Sequence, residues 1–183
     1  MGSLTASQGW YLALVALVLV VRLLELRVAK RHLAWARSRG GIEYGAGHYP
    51  VMVALHTALF VACVVEVLVA DPPFLPWLGW PMLAVLTAAH ALRWWCIATL
   101  GNQWNTRVVV VPGLPLQIRG PYRWLRHPNY VAVVAEGLAL PLVHTNWVTA
   151  TAFTLADLAL LRVRIRVENR ALASLARRAT SPA

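Results

Sequence analysis

The residues best suited to chemistry lie in two short segments, and the first is residues 126–130. It reads Arg-His-Pro-Asn-Tyr and directly precedes an apolar stretch that predicts a helix. Proline fits the first turn of a helix, where the backbone N–H groups have no partner within the helix. Those N–H groups, with Arg126 and His127 beside them, predict an anion-binding site. An alternative interpretation is a basic, aromatic stretch that only positions the helix.

The second segment, residues 162–170, carries one acidic residue, Glu168, among several arginines. Arg164 and Glu168 are four residues apart, so they share one face of the predicted helix. A surface salt bridge is the simplest account of that pair. Because the segment follows an apolar stretch of membrane length, Glu168 is also expected to lie within reach of a cytosolic ligand.

The composition indicates an integral membrane protein that must hold both segments. Of the 183 residues, 59% are hydrophobic and 13% are charged. Soluble domains average roughly 45–50% apolar and about 25% charged residues. These values exclude a disordered chain and argue against a soluble globular protein. The net charge of +10 would suggest nucleic acid in a soluble protein, but basic residues also orient membrane proteins.

Apolar stretches of membrane length predict an all-α fold with about five transmembrane helices, since about 20 residues cross the hydrocarbon layer. The predicted spans are residues 10–28, 50–70, 80–100, 129–143 and 146–163, the last running on as helix to about residue 176. Only His144 and Thr145 separate the fourth and fifth spans, which predicts a tight antiparallel hairpin. Residues 1–183 are expected to form a single domain.

The basic residues predict the orientation of the chain. They are concentrated in the first and third connections and at the carboxyl end, whereas residues 71–79 and 144–145 contain none. By the positive-inside rule, the basic segments face the cytoplasm. We therefore expect a protein of the cell (inner) membrane with its amino terminus outside and its carboxyl terminus inside. The net charge then reflects topology and contact with anionic lipids, and no nucleic-acid partner is expected.

Placing an ionisable residue within a membrane span costs free energy, so such residues usually face a cavity or the interior of the bundle. Those within the predicted spans are Arg22, Glu25, His90, Arg93, Glu136 and Asp157. Their clustering predicts a polar cavity that opens to the cytoplasm. The alternative is a set of structural ion pairs, Arg22 with Glu25 and Arg93 with Glu136. Glu66, near the outer end of its span, is expected only to meet the lipid headgroups.

The long third connection predicts a small β-hairpin. Two extended runs, residues 108–111 and 116–118, flank a Pro-Gly turn,. Trp104 in the same connection is expected to anchor the chain at the inner membrane interface. The two cysteines, Cys63 and Cys96, lie in apolar stretches without metal-ligand spacing, so no metal site is expected,.

Three stretches of the sequence resemble the isoprenylcysteine carboxyl methyltransferase family, whose members are integral membrane enzymes that use S-adenosylmethionine. They are Gly120-Pro121-Tyr122-Arg123, Arg126-His127-Pro128-Asn129-Tyr130 and Arg164-Ile165-Arg166-Val167-Glu168. Residues 22–26 and 41–50 are similar to its bacterial branch, in which some members are associated with O-methylation of long-chain polyketide phenols and pyrones. The chain departs from the family pattern at Ala132, where glycine is usual, and at Asn169, where a second acid is usual.

The resemblance implies a cytosolic cofactor pocket formed by about residues 100–176. S-adenosylmethionine is expected to be held there by aromatic, basic and acidic side chains: Tyr122, Arg126, His127, Tyr130, Arg164 and Glu168. Arginine and histidine suit its carboxylate, glutamate suits its ammonium or ribose groups, and aromatic faces suit its sulfonium. The sequence has no glycine-rich nucleotide loop after a strand, which excludes a Rossmann-type methyltransferase.

The residues expected to act on the methyl acceptor are Glu25, Glu43 and Arg93. The acceptor is expected to be a lipophilic molecule that enters from the bilayer and is methylated on an oxygen. A carboxylate acceptor needs no base, whereas a phenol or enol must lose a proton. Glu25 or Glu43 is the predicted base or orienting group. The alternative is that Glu25 only pairs with Arg22 and Glu43 only caps a turn.

Two other functions remain open at the level of sequence. A small transporter or channel would place ionisable groups across the full membrane depth, whereas here they cluster at mid-depth and toward the cytoplasm. A membrane reductase that uses a dinucleotide is a further alternative of related architecture. The sequence leaves the oligomeric state open.

Overall fold

The computed structural model describes the backbone of residues 4–180 and the side chains of residues 4–173. This part of the chain forms five α-helices and two short strands, which confirms a mostly helical fold. In chain order they are α1 (Ala6–Ser38), β1 (Ile42–Tyr44), α2 (Tyr49–Val69), α3 (Pro76–Leu100), β2 (Val108–Val110), α4 (Pro128–Leu142) and α5 (Trp147–Thr180). Arg177 and Arg178 belong to the basic residues at the carboxyl end, and they lie outside the described side chains.

The starts of the helices follow from local sequence signals. Thr5 caps α1 in a reciprocal arrangement, because its hydroxyl accepts from the Gln8 amide and the Gln8 side chain accepts from the Thr5 amide,. Prolines occupy the first turns of α2, α3 and α4, where the missing N–H costs no helical hydrogen bond. The predicted boundaries of these three helices therefore agree with the structure to within a few residues.

Among the residues that the structure describes, two helical segments are long and apolar enough to cross a membrane, judged by length and composition alone. They are Ala46–Val69, which contains α2, and Pro76–Gln103, which contains α3. The helix α1 has 33 residues and α4 has 15. At about 1.5 Å per residue, α1 is about 50 Å long and α4 about 22 Å. The number of five spans stays a prediction.

The connection between α4 and α5 is as short as the sequence predicts, and it contains a capping interaction that the sequence did not reveal. Glu66 of α2 accepts hydrogen bonds from the backbone amides of Val148 and Thr149, at 3.1 Å and 2.7 Å. The expectation that Glu66 only meets lipid headgroups is therefore wrong. The first-turn amides of α5 lack helical partners, so a carboxylate from a neighbouring helix satisfies them.

We expect Glu66→Ala to lower the free energy of unfolding by about 1–2 kcal/mol, the usual cost of a lost helix cap. Glu66→Gln, which keeps one acceptor oxygen, should give a smaller loss. Thermal unfolding of the protein in one detergent measures both. Thr87→Ala, which removes an exposed hydroxyl on α3, is the control. Equal melting temperatures for wild type and Glu66→Ala would show that the cap contributes nothing.

The short strands correct the predicted hairpin within the third connection. Val108–Val110 pair antiparallel with Ile42–Tyr44, with Glu43 opposite Val109. Pro115 removes a backbone donor directly before residues 116–118, the run that was expected to pair,. The observed pairing also buries Val108 and Val110 against Ala171 of α5. The strand pair therefore joins the first and third connections beside the carboxyl-terminal helix.

The helices α3 and α4 pack together most extensively, and α5 packs against α4 and α2. The main core lies toward the predicted outer end of the bundle, where Tyr11 of α1 donates a hydrogen bond to the backbone carbonyl of Leu140 in α4. The helix α1 makes few contacts with α2. This uneven packing leaves space between α1 and α2 in the half of the bundle that carries the strand pair.

Candidate active site

A buried network of ion pairs joins α1, α3 and α4. Arg22 Nη1 donates to Glu25 Oε2 at 2.6 Å, and Arg22 also pairs with Glu136. Arg93 Nε donates to Glu136 Oε1 at 3.1 Å, and Arg93 Nη2 donates to the other oxygen of that carboxylate. The side chains of Glu25, Arg93 and Glu136 are almost completely buried. The prediction of structural ion pairs is confirmed, and the network fixes three helices relative to one another.

A cavity of about 320 Å³, here called the larger cavity, lies against this network. More than half of the residues that line it belong to α1 and α2, and the surface of its wall is mostly apolar. Leu23 and Val61, which line it, are 50% and 58% exposed, so the cavity opens between these two helices. The sequence predicted a polar cavity open to the cytoplasm. The cavity is instead mostly apolar and opens sideways. The charged groups along one of its walls, Arg22, Glu25 and Arg93, pair with one another and with Glu136.

A second space, here called the smaller cavity, has a volume of about 110 Å³ and lies at the end of the bundle that carries the strand pair. Five predicted cofactor residues line it: Tyr122, His127, Tyr130, Arg164 and Glu168. Arg107 and β2 form another part of its wall. Ligand pockets commonly measure about 300–1,000 Å³, so this cavity alone holds only part of a nucleoside-sized ligand.

Glu168 is the acidic centre of the smaller cavity. The Tyr130 hydroxyl donates to Glu168 Oε2 at 2.5 Å, and His127 Nδ1 lies 3.7 Å from Glu168 Oε1. The rings of His127 and Tyr130 stack with centroids 5.4 Å apart. Burial alone would raise the pKa of Glu168, but the nearby His127 ring and the hydrogen bond from Tyr130 outweigh it and hold the pKa below its usual value,. The side chain is therefore a carboxylate at neutral pH.

A glycine turn sets the position of Tyr122. Gly120 has a φ of +55°, and a Cβ at this position would collide with the Thr99 side chain. The chain can therefore approach α3 closely only with glycine here. The short helix Gly120–Arg123 then directs Tyr122 into the smaller cavity. Burial raises the pKa of Tyr122, so its hydroxyl stays neutral and its ring offers an aromatic face.

The two cavities share one wall. It consists of Trp104, Asn129, Tyr130 and Arg164, which line both spaces. Arg164 is fixed there, since its Nη2 donates to the Thr106 carbonyl at 2.8 Å. Arg93 Nη1 donates to Asn129 Oδ1 at 3.4 Å and thereby links the ion-pair network to the wall. A ligand in the smaller cavity and a ligand in the larger cavity would meet at these side chains.

Not every predicted site residue reaches these spaces. The side chain of Arg126 is exposed, and it lines neither cavity. Glu43 also lines neither, because it lies in β1 and pairs with Arg107 at 2.5 Å and with Arg37 at 3.4 Å. Glu25 and Arg93 do line the larger cavity. Glu43 is therefore connected to the smaller cavity through Arg107, which lines it.

Two residues of the shared wall were missed in the sequence. Trp104 was expected at the membrane interface, but it is 2% exposed and packs against Ala29 and Ile97, so that expectation is wrong. Asn129 lies inside the predicted anion-binding segment, which is the signal that could have identified it. Three buried nitrogen atoms of residues that line the two cavities have no hydrogen-bond partner among the described residues: Trp104 Nε1, His127 Nε2 and Arg164 Nε.

The fold and the cavities define a helical membrane protein in which a half-polar site and a mostly apolar site share one wall. Residues 82–174 match the sequence model of the Isoprenylcysteine carboxyl methyltransferase (ICMT) family. This range is half of the chain and contains Arg93, the shared-wall residues and Glu168. The chain belongs to this family of integral membrane methyltransferases, which confirms the resemblance seen in the sequence.

Two bacterial proteins are similar to the chain over most of its length. Uncharacterized protein YpbQ of Bacillus subtilis (strain 168) is 39% identical over 160 residues, which cover 87% of this chain and 94% of that protein. An uncharacterized protein of Haemophilus influenzae is 26% identical over 163 residues, which cover 87% of this chain and 93% of that protein. The likeness therefore extends over α1 and α2 as well as the part that matches the family.

A solved structure shares the fold. The eukaryotic intramembrane Ras methyltransferase ICMT, solved without a monobody, aligns with a TM-score of 0.56 and 26% sequence identity. The alignment covers 69% of this chain and 46% of that protein. The chain thus spans about half the length of its eukaryotic relative. Membership of a methyltransferase family does not favour the transporter, channel or reductase alternatives.

Proposed function

We propose that this protein transfers a methyl group from S-adenosylmethionine to an oxygen of a lipophilic acceptor dissolved in the membrane. The observation that carries this proposal is the shared wall between the two cavities. The lining of the smaller cavity is about half polar and lies at the predicted cytosolic end, whereas the larger cavity is mostly apolar and opens between α1 and α2. A water-soluble donor and a lipid-soluble acceptor can meet at that wall without either crossing the other's environment.

The side chains of the smaller cavity fit the chemistry of this cofactor. The Glu168 carboxylate would bind the ammonium or ribose groups, while His127 and Arg164 would bind the carboxylate. The unpartnered Nε of Arg164 is a donor that such a carboxylate would satisfy, and the unpartnered Nε2 of His127 is a donor in the tautomer or imidazolium form that carries a proton there,. The faces of Tyr122 and Tyr130 would lie near the sulfonium. When bound, S-adenosylmethionine supplies an electrophilic methyl group on its sulfur.

The residues of the chain align the acceptor and keep water out. Trp104 and Leu161 give the shared region apolar surface, and Asn129 and Arg93 offer donors to the acceptor oxygen,. A phenol or enol acceptor must lose its proton. Glu25 is the base that we propose, because its Oε1 is buried at the larger cavity and accepts no hydrogen bond from the described residues,. Glu43 is a positioning residue that holds Arg107 beside the smaller cavity.

Mass spectrometry tests the proposed reaction directly. Purified protein is incubated with bacterial lipid extract and S-adenosylmethionine that carries a deuterated methyl group. We expect at least one lipid species to gain the labelled methyl group with the wild type and none to gain it with Glu168→Gln. Calorimetry in detergent should show stoichiometric cofactor binding by the wild type. Absence of both the label and the binding heat would refute the methyl transfer.

A further inference from the structure

One face of α5 connects the two cavities. Asp157, Leu161, Arg164 and Glu168 follow one another at spacings of three or four residues, so they lie on the same side of the helix,. The first three line the larger cavity, and Arg164 and Glu168 line the smaller one. Asp157 lies about 10 Å from Arg164 along the helix axis, at about 1.5 Å per residue. It is therefore deep in the larger cavity, away from the shared wall.

Asp157 differs from the other buried carboxylates. It is 1% exposed, and neither of its oxygens accepts a hydrogen bond from the part of the chain that the structure describes. Within the same part, no arginine, lysine or histidine forms an ion pair with it. By contrast, Glu25 and Glu136 pair with Arg22 and Arg93. A buried polar group without a partner is costly, which indicates that a ligand supplies the missing donor.

We propose that Asp157 is a specificity-determining residue that binds a hydroxyl group of the methyl acceptor. This inference rests on the proposed function and names the class of acceptor. The acceptor is a lipophilic molecule that carries a hydroxyl in addition to the oxygen that is methylated. That hydroxyl lies several ångströms from the reacting oxygen, since Asp157 is deeper than the shared wall.

The charges of the larger cavity favour a hydroxyl over other donors. Arg164 lines the same space and forms no ion pair with a described residue, so a cationic amine would be repelled there. An anionic carboxyl group placed against Asp157 would bring two acids together in a low-dielectric site. A hydroxyl donates one hydrogen bond without adding charge, and the apolar wall accepts the rest of a lipophilic molecule.

Equilibrium binding of matched radiolabelled probes tests this assignment. The probes are dodecylphenol and the dodecyl-substituted dihydroxybenzenes, measured on the full chain in detergent. We expect the wild type to bind at least one dihydroxybenzene about 10- to 100-fold more tightly than dodecylphenol, the usual effect of a hydrogen bond to a charged group. Asp157→Leu should erase that preference while binding of dodecylphenol stays within about threefold of wild type, since dodecylphenol lacks the second hydroxyl.

Two further variants keep the test interpretable. Asp157→Asn retains an acceptor oxygen, so it should keep part of the preference. Thr154→Val removes a buried hydroxyl of α5 that has no partner among the described residues, and Thr154 does not line the larger cavity. This variant should therefore keep the full preference for the dihydroxybenzene. Asp157→Leu is expected to fold at least as well as the wild type, because it replaces an unpartnered polar group with an apolar one of similar size.

The outcomes separate this inference from the proposed methyl transfer. Equal binding of both probe types by the wild type, a preference that survives Asp157→Leu, or no binding of either probe would overturn the role of Asp157. Calorimetry with S-adenosylmethionine is run on the same samples. A hydroxyl preference that depends on Asp157, without any cofactor binding, would support the hydroxyl site and refute the methyl transfer.

Discussion

Glu168→Gln should weaken S-adenosylmethionine binding by a factor on the order of 10² or more. Truncating one partner of a buried, hydrogen-bonded charge pair costs about 2–5 kcal/mol. Glu168 is the acidic residue of the smaller cavity, and Tyr130 and His127 hold it in position. The amide keeps the shape of the side chain but loses the charge that an ammonium group requires. Isothermal titration calorimetry in one detergent measures the change.

Variants at neighbouring positions test whether the loss is specific. Arg170→Gln alters an exposed charge of α5 close to Glu168 in sequence, so it should leave the affinity within about threefold, the scale of exposed charge effects. Tyr130→Phe removes the hydroxyl that donates to Glu168 Oε2 and should give an intermediate loss. The aromatic face remains in that variant.

The result that would contradict this assignment is wild-type affinity in Glu168→Gln together with an unchanged melting temperature. The cofactor would then be held without this carboxylate. A loss of affinity in Glu168→Gln that was matched by a loss in Arg170→Gln would also contradict it. Such a result would indicate a general electrostatic effect of the carboxyl-terminal segment.

The helices and the chemistry of the smaller cavity could be predicted from the sequence for local physical reasons. Apolar runs of membrane length mark each helix, and Pro50, Pro76 and Pro128 mark three of the starts,. The segment 126–130 and Glu168 are each recognisable within a few residues of chain. Helix periodicity then predicts which of their side chains share a face.

Contacts between distant segments could not be predicted in this way. The partner of Val108–Val110 is β1, more than sixty residues earlier, and no local pattern specifies that pairing. Glu66 caps α5 across a similar separation. Trp104 has the composition of an interface anchor but is buried by the packing of α1 and α3. Each of these depends on how the helices assemble.

In the candidate site, too, residue types could be predicted from local sequence, whereas their partners could not. Arg126 fits an anion site by its type, yet its side chain points to solvent. Glu43 was predicted from its position before the second span, but Arg107 neutralises it at 2.5 Å. Whether a charged residue is available for chemistry depends on its partner, and that partner lies in another segment of the chain. Asp157 is the opposite case, a buried acid without a partner among the described residues.

Arg93→Met should lower the free energy of unfolding by about 3–5 kcal/mol, the usual cost of leaving a buried charge unpaired. The network contains Arg22 and Arg93 against Glu25 and Glu136, so its charges balance. Loss of Arg93 leaves one buried negative charge in excess. Arg119→Met, at an exposed position, is the control and should cost less than about 0.5 kcal/mol. Unfolding in one detergent compares the two variants.

A double variant separates the ion pair from the packing of the arginine side chain. Glu136→Gln alone leaves an excess positive charge, whereas Arg93→Met with Glu136→Gln restores the balance. We expect the double variant to be more stable than the sum of the two single losses predicts, with a coupling energy of about 1–3 kcal/mol. Strictly additive losses would mean that Arg93 stabilises the protein through packing alone.

The double variant also isolates the role of Arg93 toward the acceptor. Arg93 lines the larger cavity and is absent from the smaller one, so a stable double variant should bind S-adenosylmethionine with wild-type affinity. Its methylation rate should still fall by at least about tenfold, because the donor that orients the acceptor oxygen is gone. A wild-type rate would assign Arg93 to the architecture of the bundle only. The acceptor would then be oriented by Asn129 and by the walls of the larger cavity.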